Sequence, residues 1–271
     1  MKARRFLAAA AVWLCSAGAA NATSTFSNDI TDLWWNANES GWGINIIQQS
    51  NVLFATLFVY DSTGRARWFV ASDMRGANVP TDRPYEFMGR LYETTGPAFS
   101  AASFNPAAVT VRDVGAITFE FIPPSNGNLT YTVDGTTVSK HVTRQTWRSN
   151  SLAGTFAGAQ VLQKSPFAAA GCTAKVGLQP FDNITIAHAD TTIGITASSG
   201  TAPLERCNYT GTYSQAGHVG NVDGVYSCDS GANGTFEWRE VELGTNGFSA
   251  NVFANDRSCA VYGNIAAIRR N

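Results

Sequence analysis

The sequence predicts an all-β protein: two small antiparallel meander barrels, or strongly curled sheets, of about eight strands each, behind a cleaved signal peptide. Three observations predict it. Short runs rich in Val, Ile, Thr, Phe and Tyr recur roughly every 8–15 residues, and helix-period apolar patterns are almost absent. The pairs Ser50-Asn51 and Asp134-Gly135 fall between runs, where two-residue hairpin loops need them. The runs also divide into two similar sets around a lapse at residues 147–152, WRSNSL.

Residues 1–22 read as an address and not as part of the fold. Lys2, Arg4 and Arg5 form a charged n-region, Phe6 to Cys15 an apolar stretch too short to span a bilayer, and Ala20-Asn21-Ala22 a small-x-small cleavage site. Leu14 stands before Cys15 where a lipoprotein box wants a small residue, so soluble export to the periplasm or beyond is expected rather than lipid anchoring. The Ala- and Arg-rich leader looks bacterial. Its removal leaves 249 residues with 16 basic and 20 acidic side chains, a net charge of −4. Basic patches and charge runs are absent, which argues against a nucleic-acid partner. No other apolar run reaches membrane-spanning length.

In the first half, strands are expected near 31–36, 42–49, 52–60, 66–73, 85–94, 109–122 (as one strand or two), 128–133 and 137–146. Asp61-Ser62-Thr63-Gly64 is a longer loop whose glycine can take positive φ. In the second half they are expected near 153–163, 182–188, 191–197, 207–214, 221–228, 235–242, 247–254 and 259–268, punctuated by Ala216-Gly217-His218, Gly231-Ala232-Asn233-Gly234 and Gly244-Thr245-Asn246-Gly247. The stretch 164–181 reads as irregular. Domains follow at 23–149 and 150–271. An open eight-strand meander exposes two edges; closure removes them and leaves room for a packed core or one small ligand. A single two-sheet sandwich is the alternative. The run 52–60 is apolar on both faces, as in a strand covered on both sides, which predicts packing against the second half or a partner.

Four of the five cysteines lie in the mature C-terminal half: Cys172, Cys207, Cys228 and Cys259. An even count in an exported chain, without C-x-x-C spacing, predicts two structural disulfides. Cys207 and Cys228 flank the hairpin centred on Gly217-His218, so in-register pairing sets them opposite each other. This favours Cys207–Cys228 with Cys172–Cys259.

The first half also carries Trp34-Trp35-Asn36, Glu39-Ser40-Gly41-Trp42-Gly43, Phe54-Ala55-Thr56, Tyr60-Asp61, Gly64 and Trp68, then Gly89, Leu91-Tyr92, Thr94-Thr95-Gly96-Pro97-Ala98-Phe99 and Thr143-Arg144-Gln145. Over about 23–147 this resembles a β-rich module of uncharacterised function found, sometimes in tandem, in exported proteins of Gram-negative bacteria. The C-terminal Cys207-x-Tyr209-x-Gly211-x-Tyr213 and Val225-Tyr226-x-Cys228 resemble a companion domain seen beside it. The resemblance implies export and β structure and lends no catalytic residue.

Candidates for chemistry are few. His141, His188 and His218 are far apart in sequence; only His188 has a close carboxylate, Asp190, and the turn expected there breaks the alternation that would put both on one face. Neither a metal nor a cofactor is expected. Asp229-Ser230-Gly231 has the look of a protease nucleophile region, but without an upstream His motif it reads as a turn after Cys228. Glu39, beside Trp42 and with Arg65 and Arg67 on a later hairpin, is the best carboxylate: desolvation would raise its pKa for acid catalysis, whereas hydrogen bonds or an arginine would make it structural. Trp34, Trp35, Trp42, Trp68 and Trp147 serve either as core filler or as ring faces for a sugar or apolar ligand.

The leading expectation is an exported binding or interaction protein, calycin-like, with an apolar or glycan ligand at an aromatic-lined barrel mouth formed by Trp42, Trp68, Glu39 and Arg67. The alternatives are an extracellular hydrolase of an ester or polymer using Glu39, and an envelope or surface protein with no small ligand.

Overall fold

The computed structural model describes residues 29–76, 85–172, 175–200, 204–256 and 259–270. The expected signal peptide, with Cys15, lies outside them. Sixteen strands among the described residues form two closed antiparallel barrels of eight. The first comprises β1 (Asp32–Trp35), β2 (Gly43–Gln49), β3 (Val52–Tyr60), β4 (Ala66–Gly76), β5 (Glu86–Thr95), β6 (Thr110–Ile122), β7 (Asn126–Val133) and β8 (Thr136–Arg144). It closes by pairing β1 with β8, Trp34 opposite Arg144. The second comprises β9 (Gly154–Lys164), β10 (Gly177–Ala189), β11 (Thr192–Ser199), β12 (Arg206–Ala216), β13 (Val219–Cys228), β14 (Asn233–Leu243), β15 (Gly247–Asp256) and β16 (Cys259–Arg269). Here β9 pairs with both β10 and β16 to complete the ring. The only helical element among the described residues is the 3-10 turn Pro106–Ala108.

Turn chemistry sets the register. Ser50 (φ 56°), Asp134 (φ 49°) with Gly135 (φ 84°), and Asp190 (φ 54°) take the left-handed conformation that two-residue hairpins demand. In the 61–64 loop the Asp61 side chain accepts from the backbone N–H groups of Thr63 and Arg65 at 2.8 and 3.0 Å, and Gly64 supplies positive φ. The run 109–122 is one strand, β6. The stretch 164–181 is less irregular than its residues suggest: β10 begins at Gly177, five residues early. Pro180 and Asp182 disguise it. Both disfavour regular strand, and the structure absorbs them with a register shift between Phe181 and Ile184.

The N-terminal barrel encloses one apolar core. Alternation on β1 turns Asp32 and Trp34 inward. Trp34 is fully buried, with Phe119 and Phe121 edge-on at 5.0 and 5.9 Å and the Arg144 guanidinium 4.9 Å from its ring. On β3, Leu53, Ala55 and Leu57 point into this core. The outward Phe54 and Tyr60 are 41% and 58% exposed, so the second barrel does not cover that face as the doubly apolar run predicts.

The barrels meet at one end of each. Asp32, at the start of β1, accepts from the His218 backbone N–H and ring, in the β12–β13 turn. The Thr146 hydroxyl accepts from Gly217 N–H, and the Gln215 side chain accepts from Asn150 N–H and donates to the Arg148 carbonyl. The far end of the first barrel carries an ionic cluster in which Glu93 joins Arg67 and Arg112, and Arg112 also grips Asp134.

Candidate ligand cavity

The C-terminal barrel is hollow toward the end away from this contact. The reason is readable along its strands. On β11 the inward positions run Ile193, Ile195, Ala197, Ser199; on β15 they run Phe248, Ala250, Val252, Ala254. On β11 the side chains shrink toward the mouth, and on β15 the one large inward residue, Phe248, is at the closed end. Bulk gathers at the closed end, where Phe156 meets Phe248 edge-on at 5.1 Å and Trp238 stacks on Phe248 at 5.4 Å. What remains open is a cavity of about 630 Å³, within the size range of small-molecule sites.

Its floor is apolar: Ile184, Ile195, Trp238, Val252 and Ile265. One wall is aromatic. Tyr209 stacks on Tyr226 across β12–β13 with centroids 5.7 Å apart, and Phe236 stands edge-on to Tyr209 at 5.0 Å. Burial pushes the phenols of Tyr209 and Tyr226 up, so both remain neutral donors. Polar groups cluster near the mouth. Glu205 pairs with Lys175 at 2.5 Å and accepts from the Ser230 hydroxyl; Lys175 and then Ser230 hold its carboxyl below the usual range. Gln160 donates to Gln179 at 3.0 Å.

Both disulfides lie in this wall. Cys207 and Cys228 are direct partners on β12 and β13, with Cα atoms 4.0 Å apart, and Cys172 is joined to Cys259 at the start of β16 with Cα atoms 4.8 Å apart. The pairing is the one the hairpin register favours. It also disposes of the cluster Glu205, Cys207 and Cys228 as a metal site, since both sulfurs are spent.

The residues singled out in the first half are elsewhere. Glu39 is exposed; it accepts from Trp42 Nε1 at 3.1 Å and pairs with Lys140 at 2.7 Å. Lys140, aided by Trp42, lowers its pKa, opposite to the upward shift that acid catalysis requires. Trp42 is half-buried, with Lys140 Nζ 5.9 Å above its ring. Trp68 faces outward, 51% exposed, opposite Phe58. Arg67 binds Glu93, not Glu39. None of these four lines the cavity.

The histidines make hydrogen bonds within the fold. His188 Nδ1 accepts from Leu152 N–H at 3.0 Å, so Nε2 carries the proton and donates to the Asp190 carbonyl at 3.0 Å. His141 lies 3.3 Å from the Asn128 side chain. Asp229-Ser230-Gly231 is a turn, closed by Gly231 N–H on the Cys228 carbonyl. Sequence reasoning missed Tyr209, Tyr226 and Trp238 as lining residues. The signal that marks them is the period-2 alternation of β12, β13 and β14, which turns all three to the interior.

No protein-family model matches the chain, and comparison with curated proteins gives no relative.

Proposed function

We propose that this is an exported carrier or receptor for a small apolar ligand, held inside the C-terminal barrel. One observation carries the reading: a barrel of about 630 Å³ free interior, walled by aromatic and aliphatic side chains. A fold needs no such space for stability; unfilled apolar volume costs free energy that a ligand recovers. Export is supported by the leader-like residues 1–22 and by two disulfides, which suit an oxidising compartment. No described helix is long and apolar enough to cross a membrane. The resemblance to an exported Gram-negative module belongs to the same proposal. The hydrolase alternative has less support, because Glu39 is held as an anion by Lys140 and Trp42.

The test is a titration with N-phenyl-1-naphthylamine, a neutral apolar fluorophore. Saturable emission enhancement is expected from the full chain, and its loss in Ala197→Trp, which fills the cavity from β11. No enhancement, or enhancement unchanged in a folded Ala197→Trp protein, overturns the reading.

A further inference from the structure

We propose that the C-terminal cavity takes an uncharged, ring-containing molecule bearing a carbonyl or ether oxygen, to which the Tyr209 hydroxyl donates a hydrogen bond. The inference rests on the cavity being the binding site and names the class of ligand it selects.

Charge is the first argument. Among the described residues the lining includes one base, Lys175, and two acids, Glu205 and Asp256. Lys175 is already paired with Glu205. The deeper lining is uncharged, so an anionic headgroup drawn inside would lose its hydration without a cation to replace it. A fatty-acid anion is thus disfavoured.

Shape is the second. Phe181, Tyr209, Tyr226, Phe236 and Trp238 contribute flat faces to one cavity. Such faces gain most from a rigid ring system, through offset or edge-on contacts about 4.5–7 Å between centroids.

The third argument is an unspent donor. On β12 the inward tyrosines are Tyr209 and Tyr213. Tyr213, at the closed end, directs its hydroxyl to Gln215 Oε1 at 3.3 Å. Tyr209 is partly buried and lines the cavity, and its hydroxyl makes no hydrogen bond among the described residues. A phenol hydroxyl that opens on a largely apolar cavity favours a ligand that brings an acceptor. The Tyr226 ring, stacked against it, fixes the approach.

Three probes separate the possibilities: 6-propionyl-2-dimethylaminonaphthalene, a neutral aromatic ketone; N-phenyl-1-naphthylamine, neutral and without a carbonyl; and 11-(dansylamino)undecanoate, an anion. The ketone is expected to bind wild-type protein more tightly than the anion and to emit at the wavelength of a hydrogen-bonded carbonyl. Tyr209→Phe should weaken the ketone about 3–10-fold while leaving the naphthylamine within about twofold. Tighter binding of the undecanoate, or bound-ketone emission typical of an aprotic site, overturns the ligand class and leaves the cavity reading standing. Equal weakening of both neutral probes in Tyr209→Phe makes the residue structural and overturns the recognition. If Tyr209→Phe does not fold, the wild-type probe ranking and ketone emission still decide. Failure of all three probes to bind overturns the cavity reading itself.

Discussion

Asp32 and His218, 186 residues apart, share a double hydrogen bond that joins the two barrels: Asp32 Oδ2 accepts the His218 backbone N–H at 3.1 Å and its ring Nδ1–H at 2.8 Å. The same carboxylate receives Arg144 Nη1 at 3.1 Å, and Asp29 lies 3.4 Å from His218 Nε2. Burial alone would raise both aspartates, but hydrogen bonds led by His218 win and hold them below their ordinary 3.8. Asp29 and then Asp32 in turn push His218 up to about 9. Nearby, burial raises Glu240 to about 7, with Arg144 opposing and Asp29 and Glu242 reinforcing the shift.

These shifts predict a pH profile of stability. His218 binds its proton more tightly folded (about 9) than at its ordinary 6.5, so its contribution is complete below about pH 6.5 and lost as pH rises through 9. Glu240, about 7 against 4.5, behaves alike: its contribution is complete below 4.5 and lost as pH rises through 7. Asp29 and Asp32 have the opposite sign; theirs is present above 3.8 and lost as pH falls through their lowered values. Thermal melts should therefore show greatest stability in mildly acidic buffer and a decline from pH 7 to 10. His218→Asn should flatten the alkaline part of that decline and cost about 1 kcal/mol at pH 6, a figure discounted for partial solvent exposure. An unchanged alkaline limb in the variant would refute the assignment.

Gly217→Ala should be far worse than Gly135→Ala. Both glycines have positive φ, 63° and 84°, where a side chain costs about 1–2 kcal/mol. A Cβ at Gly217 would sit 1.9 Å from Asp32 Oδ2, whereas one at Gly135 meets nothing within 4 Å. Urea unfolding should therefore place the Gly217 variant lower by about 2 kcal/mol or more relative to the Gly135 variant.

Removing each disulfide as a double Cys→Ala change should lower stability, by about 3 kcal/mol for Cys207–Cys228 and about 4–5 for Cys172–Cys259 on a chain-entropy reckoning. The sequence separations are 21 and 87 residues. Denaturant midpoints of the two variants measure the order, and peptide mapping without reduction checks the connectivity first.

Trp34→Ala and Trp68→Ala should separate core from surface within one barrel. Trp34 is fully buried and donates Nε1–H to the Ile30 carbonyl at 3.1 Å, so its loss should cost about 3–5 kcal/mol. Trp68 is half-exposed on the outside; its loss should stay within about 1 kcal/mol and leave naphthylamine binding unaltered. A loss of probe binding in Trp68→Ala would return the ligand to the first barrel.

Whatever rests on local pattern was legible along the chain. Period-2 alternation put Trp34 and Trp35 on opposite faces (that Trp34 is the inward one came from the structure), Asp134-Gly135 and Ser50-Asn51 set their hairpins, and the symmetry of Cys207 and Cys228 about Gly217-His218 set a disulfide. Each is decided by a few residues and the chirality of the backbone. Tertiary structure alone decided which barrel is hollow, because cavity volume is a sum over side chains from eight strands at one height, and no single strand holds it. It also decided the partners of charge. Arg67 went to Glu93 and Glu39 to Lys140, and the only thing that brings Asp32 to His218 is the docking of two closed barrels. Coulombic and hydrogen-bond partners act through space over a few ångströms, and the distance along the chain carries no record of them.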